Sequence, residues 1–318
     1  MVTPVVRSLD AFQQRHRPTA VAVAVVRKLG DDDGGTLINS IAFAGFVSVF
    51  PLLLILFTVL DLVLSGDPHA RATIAHSALA QFPLVGEELG SNIHGLRRTS
   101  VIGLVVGIVV LLWGSMALAR AGQVAMSRVW AVHHDVRPRF GARLVRSLGF
   151  LGVLGLGVAA TSALAGFGTV GGRQPFLGAV GEVLALVLNV VVYLLAFRIL
   201  TPPGVRLRQL VPGSVVGGIG WTVLQALGGY VVGRYLRHAG QVYGTFGAVL
   251  GLTAWIYLGA RLSIVAAELN PVLSLGLWPR GLAPPPSTPA DRRALALAAR
   301  GPTREVDGDG DAVTAGPD

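Results

Sequence analysis

Arg261 and Glu268 are the residues of this 318-residue chain whose position most invites chemistry, because both interrupt the otherwise apolar stretch from Phe246 to Ser274. Seven residues make two helical turns, about 10 Å along the axis, so a helix carries both side chains on one face. Charged groups at membrane depth are costly and turn toward protein or water. The pair is read as a candidate polar path between helices. Pro51 joins it, since this proline falls near the centre of another apolar stretch and disturbs the carbonyl of Val47, predicting a kink or break. A plainer reading has Arg261 reaching for the headgroups and Glu268 marking a helix end.

Other chemistry finds little support. His133-His134-Asp135 could suggest a metal, but adjacent residues on a helix point apart and no further ligand lies nearby. Asp307, Asp309 and Asp311 alternate with glycine as a calcium loop begins, without the later ligands or closing Glu. The absence of cysteine excludes disulfides, thiolate metal sites and cysteine nucleophiles. No phosphate-binding Walker loop, dinucleotide fingerprint, HExxH or GxSxG motif occurs. No enzyme, cofactor or metal is expected, and an RNA hydrolase would need clustered carboxylates or metal ligands on a soluble face.

The elements that must position Arg261, Glu268 and Pro51 are six apolar stretches: 36–64, 101–118, 148–170, 180–200, 211–232 and 246–274. About twenty apolar residues span a hydrocarbon core of roughly 30 Å as a helix. Composition agrees, with 52% hydrophobic residues, 14% charged and a mean hydropathy of +0.64. The expected fold is all-α, a polytopic membrane protein of six transmembrane helices. A sequence pI near 11.0 reports topology and anionic headgroups here; no nucleic acid is expected.

Nineteen of the 26 basic residues fall in the first, third, fifth and seventh segments outside the stretches, and six in the others. Positive segments stay inside, so both termini are read as cytoplasmic, as an even number of spans also requires. The location expected is a membrane with those segments on its cytoplasmic side. Residues 1–35 form a cytoplasmic segment, amphipathic and broken at Pro18, on the inner membrane face. Its apolar part, Thr19 to Val26, is too short and wrongly flanked for a signal peptide. Residues 36–275 form the six-helix domain, and residues 276–318, rich in proline and then Asp-Gly, are expected to be disordered.

The connection from Arg120 to Arg146 is the most basic stretch. Arg128, Arg137, Arg139, Arg143 and Arg146 are expected to contact anionic lipid headgroups of the inner leaflet, at about 1 kcal/mol each. Glycine pairs four apart, Gly103 with Gly107, Gly213 with Gly217, Gly229 with Gly233 and Gly247 with Gly251, predict close helix approach. Asn39, Ser40 and Ser48 are candidates for bonds between helices. Trp113 and Trp255 read as packing residues, the other tryptophans as interfacial anchors.

Between Gly35 and Leu275 the chain resembles the YihY/BrkB family of bacterial inner-membrane proteins, once labelled ribonuclease BN. The resemblance rests on Ser48-Val49-Phe50-Pro51, Leu112-Trp113-Gly114-Ser115, Pro212-Gly213, Tyr243-Gly244 with Gly247, Trp255-Ile256-Tyr257 and Glu268-Leu269-Asn270. Phe43 and Phe46 stand where tyrosines are common, and Ala266 where a glycine usually precedes Ala-Glu. The resemblance implies a helical membrane module, linked in some members to serum resistance, with a ribonuclease label regarded as a misassignment. It supplies no substrate. Two functions are expected from it and the residues together: a transporter or permease acting near Pro51, Arg261 and Glu268, or a non-transporting scaffold for envelope partners.

Overall fold

The computed structural model describes residues 4–63, 101–132, 140–170, 175–231, 237–282 and 288–299. Among these every regular element is a helix: α1 (Pro4–Arg15), α2 (Arg17–Asp31), α3 (Gly34–Val63), α4 (Val101–Val129), α5 (Phe140–Val170), α6 (Pro175–Leu200), α7 (Leu207–Val231), α8 (Arg237–Ser274) and α9 (Pro289–Ala298). Helices α3 to α8 each carry the described residues of one of the six apolar stretches. Four carry windows long and apolar enough to cross a membrane: Leu144–Thr161, Ala179–Leu200, Leu207–Gly228 and Val249–Ser274; α3 has a shorter apolar run, Gly34–Val49. Only 18 to 33% of those four windows is buried inside the protein. Their outward faces carry large apolar side chains such as Leu156, Phe176 and Val183, a surface that suits lipid and not water.

Each of these six helices packs on the next in sequence, and α8 returns to pack on α3, so the bundle closes as a ring. Small residues set the spacing. Gly213 of α7 lies so close to α8 that a Cβ there would sit 2.2 Å from the Ala266 carbonyl oxygen, while one at Gly218 would meet the Val190 backbone of α6 at 2.7 Å. The pair Gly213 and Gly217 thus serves two neighbours: Gly217 makes room for the Tyr193 ring of α6. One core cluster joins Ala119, Met126 and Val129 of α4, and Trp130 just after it, to Phe150, Phe197, Leu200, Leu210, Ala266 and Ala267. A second joins Leu37 and Ile38 of α3 to Ala125, Ala260 and Ile264.

Several expectations are corrected. Helix α3 runs unbroken through Pro51, which excludes the break expected there and leaves the kink. Helix α4 continues to Val129, so Arg120 and Arg128 lie on a helix and not in a connection. Ser40 and Ser48 bond the carbonyls four residues back in their own helix, Thr36 and Ala44, the local alternative open to short hydroxyl side chains. Trp255 is buried beside Trp221, with ring centroids 6.2 Å apart, but Trp113 is exposed and Trp130 buried. Bonds between helices come instead from Asn189 Nδ2 to Thr222 Oγ1, 3.0 Å, and between the Tyr193 and Ser263 hydroxyls, 3.2 Å.

The segments flanking the bundle are knitted together. Pro18 lies in the first turn of α2, where a missing N–H costs nothing, and His16 precedes the helix in extended conformation without a side-chain capping bond. Helix α2 packs on α8, burying Ala24 and Val25 against Val272 and Leu277. The expectation of disorder from residue 276 fails across α9, whose start is a capping box between Thr288 and Asp291. Arg280, 6% exposed, pairs with Asp31 and Asp291. The Gln13 amide donates to its carbonyl at 2.7 Å, and the Leu282 N–H donates to Asp10 at 3.0 Å. Burial of the apolar faces and these bonds together order a segment whose composition alone reads as a tail.

Candidate functional site

Glu268 lies in the last turns of α8, wholly buried. Its partner comes from outside the ring. Lys28, the only lysine in the sequence, projects from α2 to place Nζ 3.0 Å from Glu268 Oε2 and also pairs with Asp32. Burial works to lower the pKa of Lys28, but the Glu268 and Asp32 carboxylates outweigh it and hold the ammonium above the usual lysine range. The lysine is therefore charged.

Local backbone explains the placement. Helix α2 ends at Asp31, and Asp33 takes the left-handed conformation at φ 53°, which aspartate tolerates better than most residues. Gly34 follows because a Cβ there would lie 2.7 Å from the Leu29 carbonyl oxygen and closer still to its side chain. The turn sends three successive aspartates to three bases: Asp31 to Arg280, Asp32 to Lys28, and Asp33 to Arg128 at 3.6 Å. The last pair is largely solvated and contributes at most about 1 kcal/mol.

Behind Glu268 stands Asn270, also fully buried. Its Oδ1 accepts from the Gly213 N–H at 2.7 Å. Pro212, inside α7, removes one backbone donor and disturbs the carbonyl four back, and Gly213 without a side chain lets α8 approach. Pro212, Gly213, Glu268 and Asn270, far apart in sequence, are thus brought to one crossing of α7 and α8. Lys28 meets Glu268 Oε2, but among the described residues Glu268 Oε1 accepts no hydrogen bond and Asn270 Nδ2 donates none. Buried polar atoms left so cost about 1–3 kcal/mol each, an expense that marks this crossing as more than packing.

The remaining sequence-derived residues fall elsewhere. Arg261 is exposed, so the structure does not bring it together with Glu268. Seven residues do return to one helix face, but α2 covers that face only at the level of Glu268. The side chains of Phe50, Pro51, Arg143, Tyr243, Gly244 and Gly247 lie outside the described residues, as do Arg137 and Arg139 altogether. Arg128 pairs with Asp33, whereas Arg146 lines a cavity of about 420 Å³ with Arg198 and Thr201. Among the described residues no three His, Cys, Asp or Glu gather to hold a metal, and His133 to Asp135 lie outside them. Sequence reasoning missed Lys28; its signal was a single lysine among 25 arginines, four residues before an aspartate.

The profile of the family described as Virulence factor BrkB matches residues 25–286. The chain belongs to the BrkB family. The match begins three residues before Lys28 and runs past Arg280, so the whole Lys28–Glu268 junction lies inside the family's domain. Inner membrane protein YhjD of Escherichia coli K12 is 24% identical over 277 residues, covering 80% of this chain and 81% of its own. A UPF0761 membrane protein of Chromohalobacter salexigens is 23% identical, covering 77% and 61%. The putative ribonuclease-like protein YfkH of Bacillus subtilis is 22% identical, covering 76% and 90%. No solved structure matches. This BrkB-family chain is accordingly a membrane protein.

Proposed function

We propose that the chain is a six-span protein of the bacterial cytoplasmic membrane, with both termini inside, of transporter or permease type. The observation that carries this reading is the buried Lys28–Glu268 pair. A buried carboxylate sits near the end of the last helix of a closed ring, held through Oε2 by a lysine on a helix outside that ring, with Oε1 unpartnered among the described residues. Ionisable groups so placed are costly and belong by default to substrate or ion paths. An ion pair between a covering helix and a spanning helix is a contact that can open and close, and in this reading it shuts the cytoplasmic end of the path. The exposed position of Arg261 favours a second reading, a scaffold without transport, in which the same pair only fastens α2. Basic residues of the inner connection, Arg137, Arg139 and Arg143 with Arg128 and Arg146, supply contact with anionic headgroups in either case. Cleavage of RNA forms no part of the proposal.

Proteoliposomes test the gate, using panels of labelled lipids and small solutes with wild type, Lys28→Met and Glu268→Gln. Flux that changes per folded molecule in both variants supports it. Measurable wild-type flux that neither variant alters rejects the gate, and no flux of any kind favours the scaffold.

A further inference from the structure

Between Asp135 and Glu268 the sequence holds eleven arginines and one acid, Glu182. The charge of this half of the ring needs anions from elsewhere. Two of the arginines, Arg146 of α5 and Arg198 of α6, line the cavity of about 420 Å³ together with Gly149, Thr201, Pro203 and Gly204. Among the described residues neither arginine has a carboxylate partner. Glu182 lies sixteen residues from Arg198 along the same helix, about 24 Å away. Thr201 is 3% exposed, and its Oγ1 finds no hydrogen-bond partner in the protein. Two glycines keep the wall free of side chains: a Cβ on Gly149 would meet only Ile199 at 3.8 Å, and Gly204 adopts φ 106° with nothing near.

Depth adds a second argument. Arg146 is the third residue of the apolar window Leu144–Thr161, and Arg198 the third from the end of Ala179–Leu200. Both therefore stand where hydrocarbon gives way to headgroups. Val145 lines the cavity, and exposed apolar side chains continue along both helices, Leu148 on α5, Val191 and Leu195 on α6. Guanidinium forks match the oxygens of phosphate, and a hydroxyl can add a further bond.

We propose that this cavity binds a phosphate group, presented by an anionic membrane lipid whose chains lie against α5 and α6. Arg146 and Arg198 neutralise the phosphate. The site does not depend on whether the protein transports anything.

Full-length protein in nanodiscs of phosphatidylcholine with a minority of phosphatidylglycerol provides the test, with retained lipid counted by native mass spectrometry. Wild type should retain phosphatidylglycerol selectively, and Arg146→Gln with Arg198→Gln should lower that retention on the order of tenfold. Arg206→Gln with Arg208→Gln, exposed arginines outside the cavity, should change it by less than about twofold, by the same reckoning for solvated charges. Equal losses in the two double variants would overturn the site in favour of diffuse attraction. Should the first double variant not fold, exposed Arg198→Gln alone carries the test, and unchanged retention overturns the proposal. In a second arm inorganic phosphate is titrated into protein in neutral detergent. Binding that Arg198→Gln abolishes, without lipid retention, keeps the phosphate site and assigns it a soluble source. Neither lipid retention nor phosphate binding by wild type overturns it altogether.

Discussion

Lys28 and Glu268 form a buried ion pair, Nζ to Oε2 3.0 Å, between a helix outside the ring and the last helix inside it. Breaking a buried pair by removing one partner leaves an uncompensated charge and costs about 3–5 kcal/mol. Lys28→Met and Glu268→Gln should each destabilise the protein by that order in detergent. The double variant should lose less than the sum of the two. Strict additivity in a double-mutant cycle would show that the two groups do not interact.

The charge on Lys28 also sets a pH response. Its folded pKa is raised, so its stabilisation is fully present below the ordinary lysine range and is lost as pH climbs through the folded value. The melting temperature of wild type should hold from neutral to mildly alkaline pH, and the gap to Lys28→Met should close only in strongly alkaline solution. A gap that closes near pH 7 contradicts the pairing.

Acid acts on the flanking segments. Burial alone would raise Asp291, but the Gly281 N–H, the Thr288 hydroxyl and N–H, and Arg280 hold it below the usual carboxylate range. A depressed folded pKa stabilises above the unfolded value and loses that contribution as pH falls through the folded one. Wild type should therefore exceed Asp291→Asn in melting temperature at pH 7, with the difference shrinking below about pH 4. A difference independent of pH would remove the carboxylate from the account.

Helix contact at α7 and α8 allows little room. Gly213→Ala places a methyl 2.2 Å from the Ala266 carbonyl oxygen, and such overpacking costs about 1–3 kcal/mol. Loss of the Gly213 to Asn270 bond would add to it. Gly35→Ala, where nothing lies within 4 Å, should be close to neutral in the same denaturation series. Equal effects at the two positions would discredit the crossing.

Orientation is open to chemistry because the chain has no native cysteine. Arg137→Cys should be protected in intact cells from an impermeant thiol reagent, and Gly172→Cys should react. The reverse pattern would invert the proposed topology.

Much of the helical framework was legible, because long apolar runs force backbone groups to pair within a helix wherever lipid is the solvent. All six stretches lie on helices, although α4 extends well past Leu118, where polar Gln123 and Ser127 hide its continuation. Both are buried, a fact of tertiary packing that hydropathy does not carry. Glu268 was visible as an intramembrane charge, but its partner was assigned by helical spacing to Arg261, when the acid is in fact met by a helix more than two hundred residues earlier. The ordered tail was missed for a similar reason: Pro284-Pro285-Pro286 signals irregular backbone, while Arg280 and Asp291 on either side find partners only in three dimensions.

Arg280 and Asp31 meet across 249 residues of chain, and Lys28 waits nearly as long for Glu268. Helix α2 is synthesised well before α8, yet Lys28 and Asp31 find Glu268 and Arg280 only after α8 has been made. Until then those two charges lack their long-range partners. A nascent chain that stops short, or inserts its final helix wrongly, cannot close this contact. The junction thus makes α2 a reporter of whether α8 has reached its place.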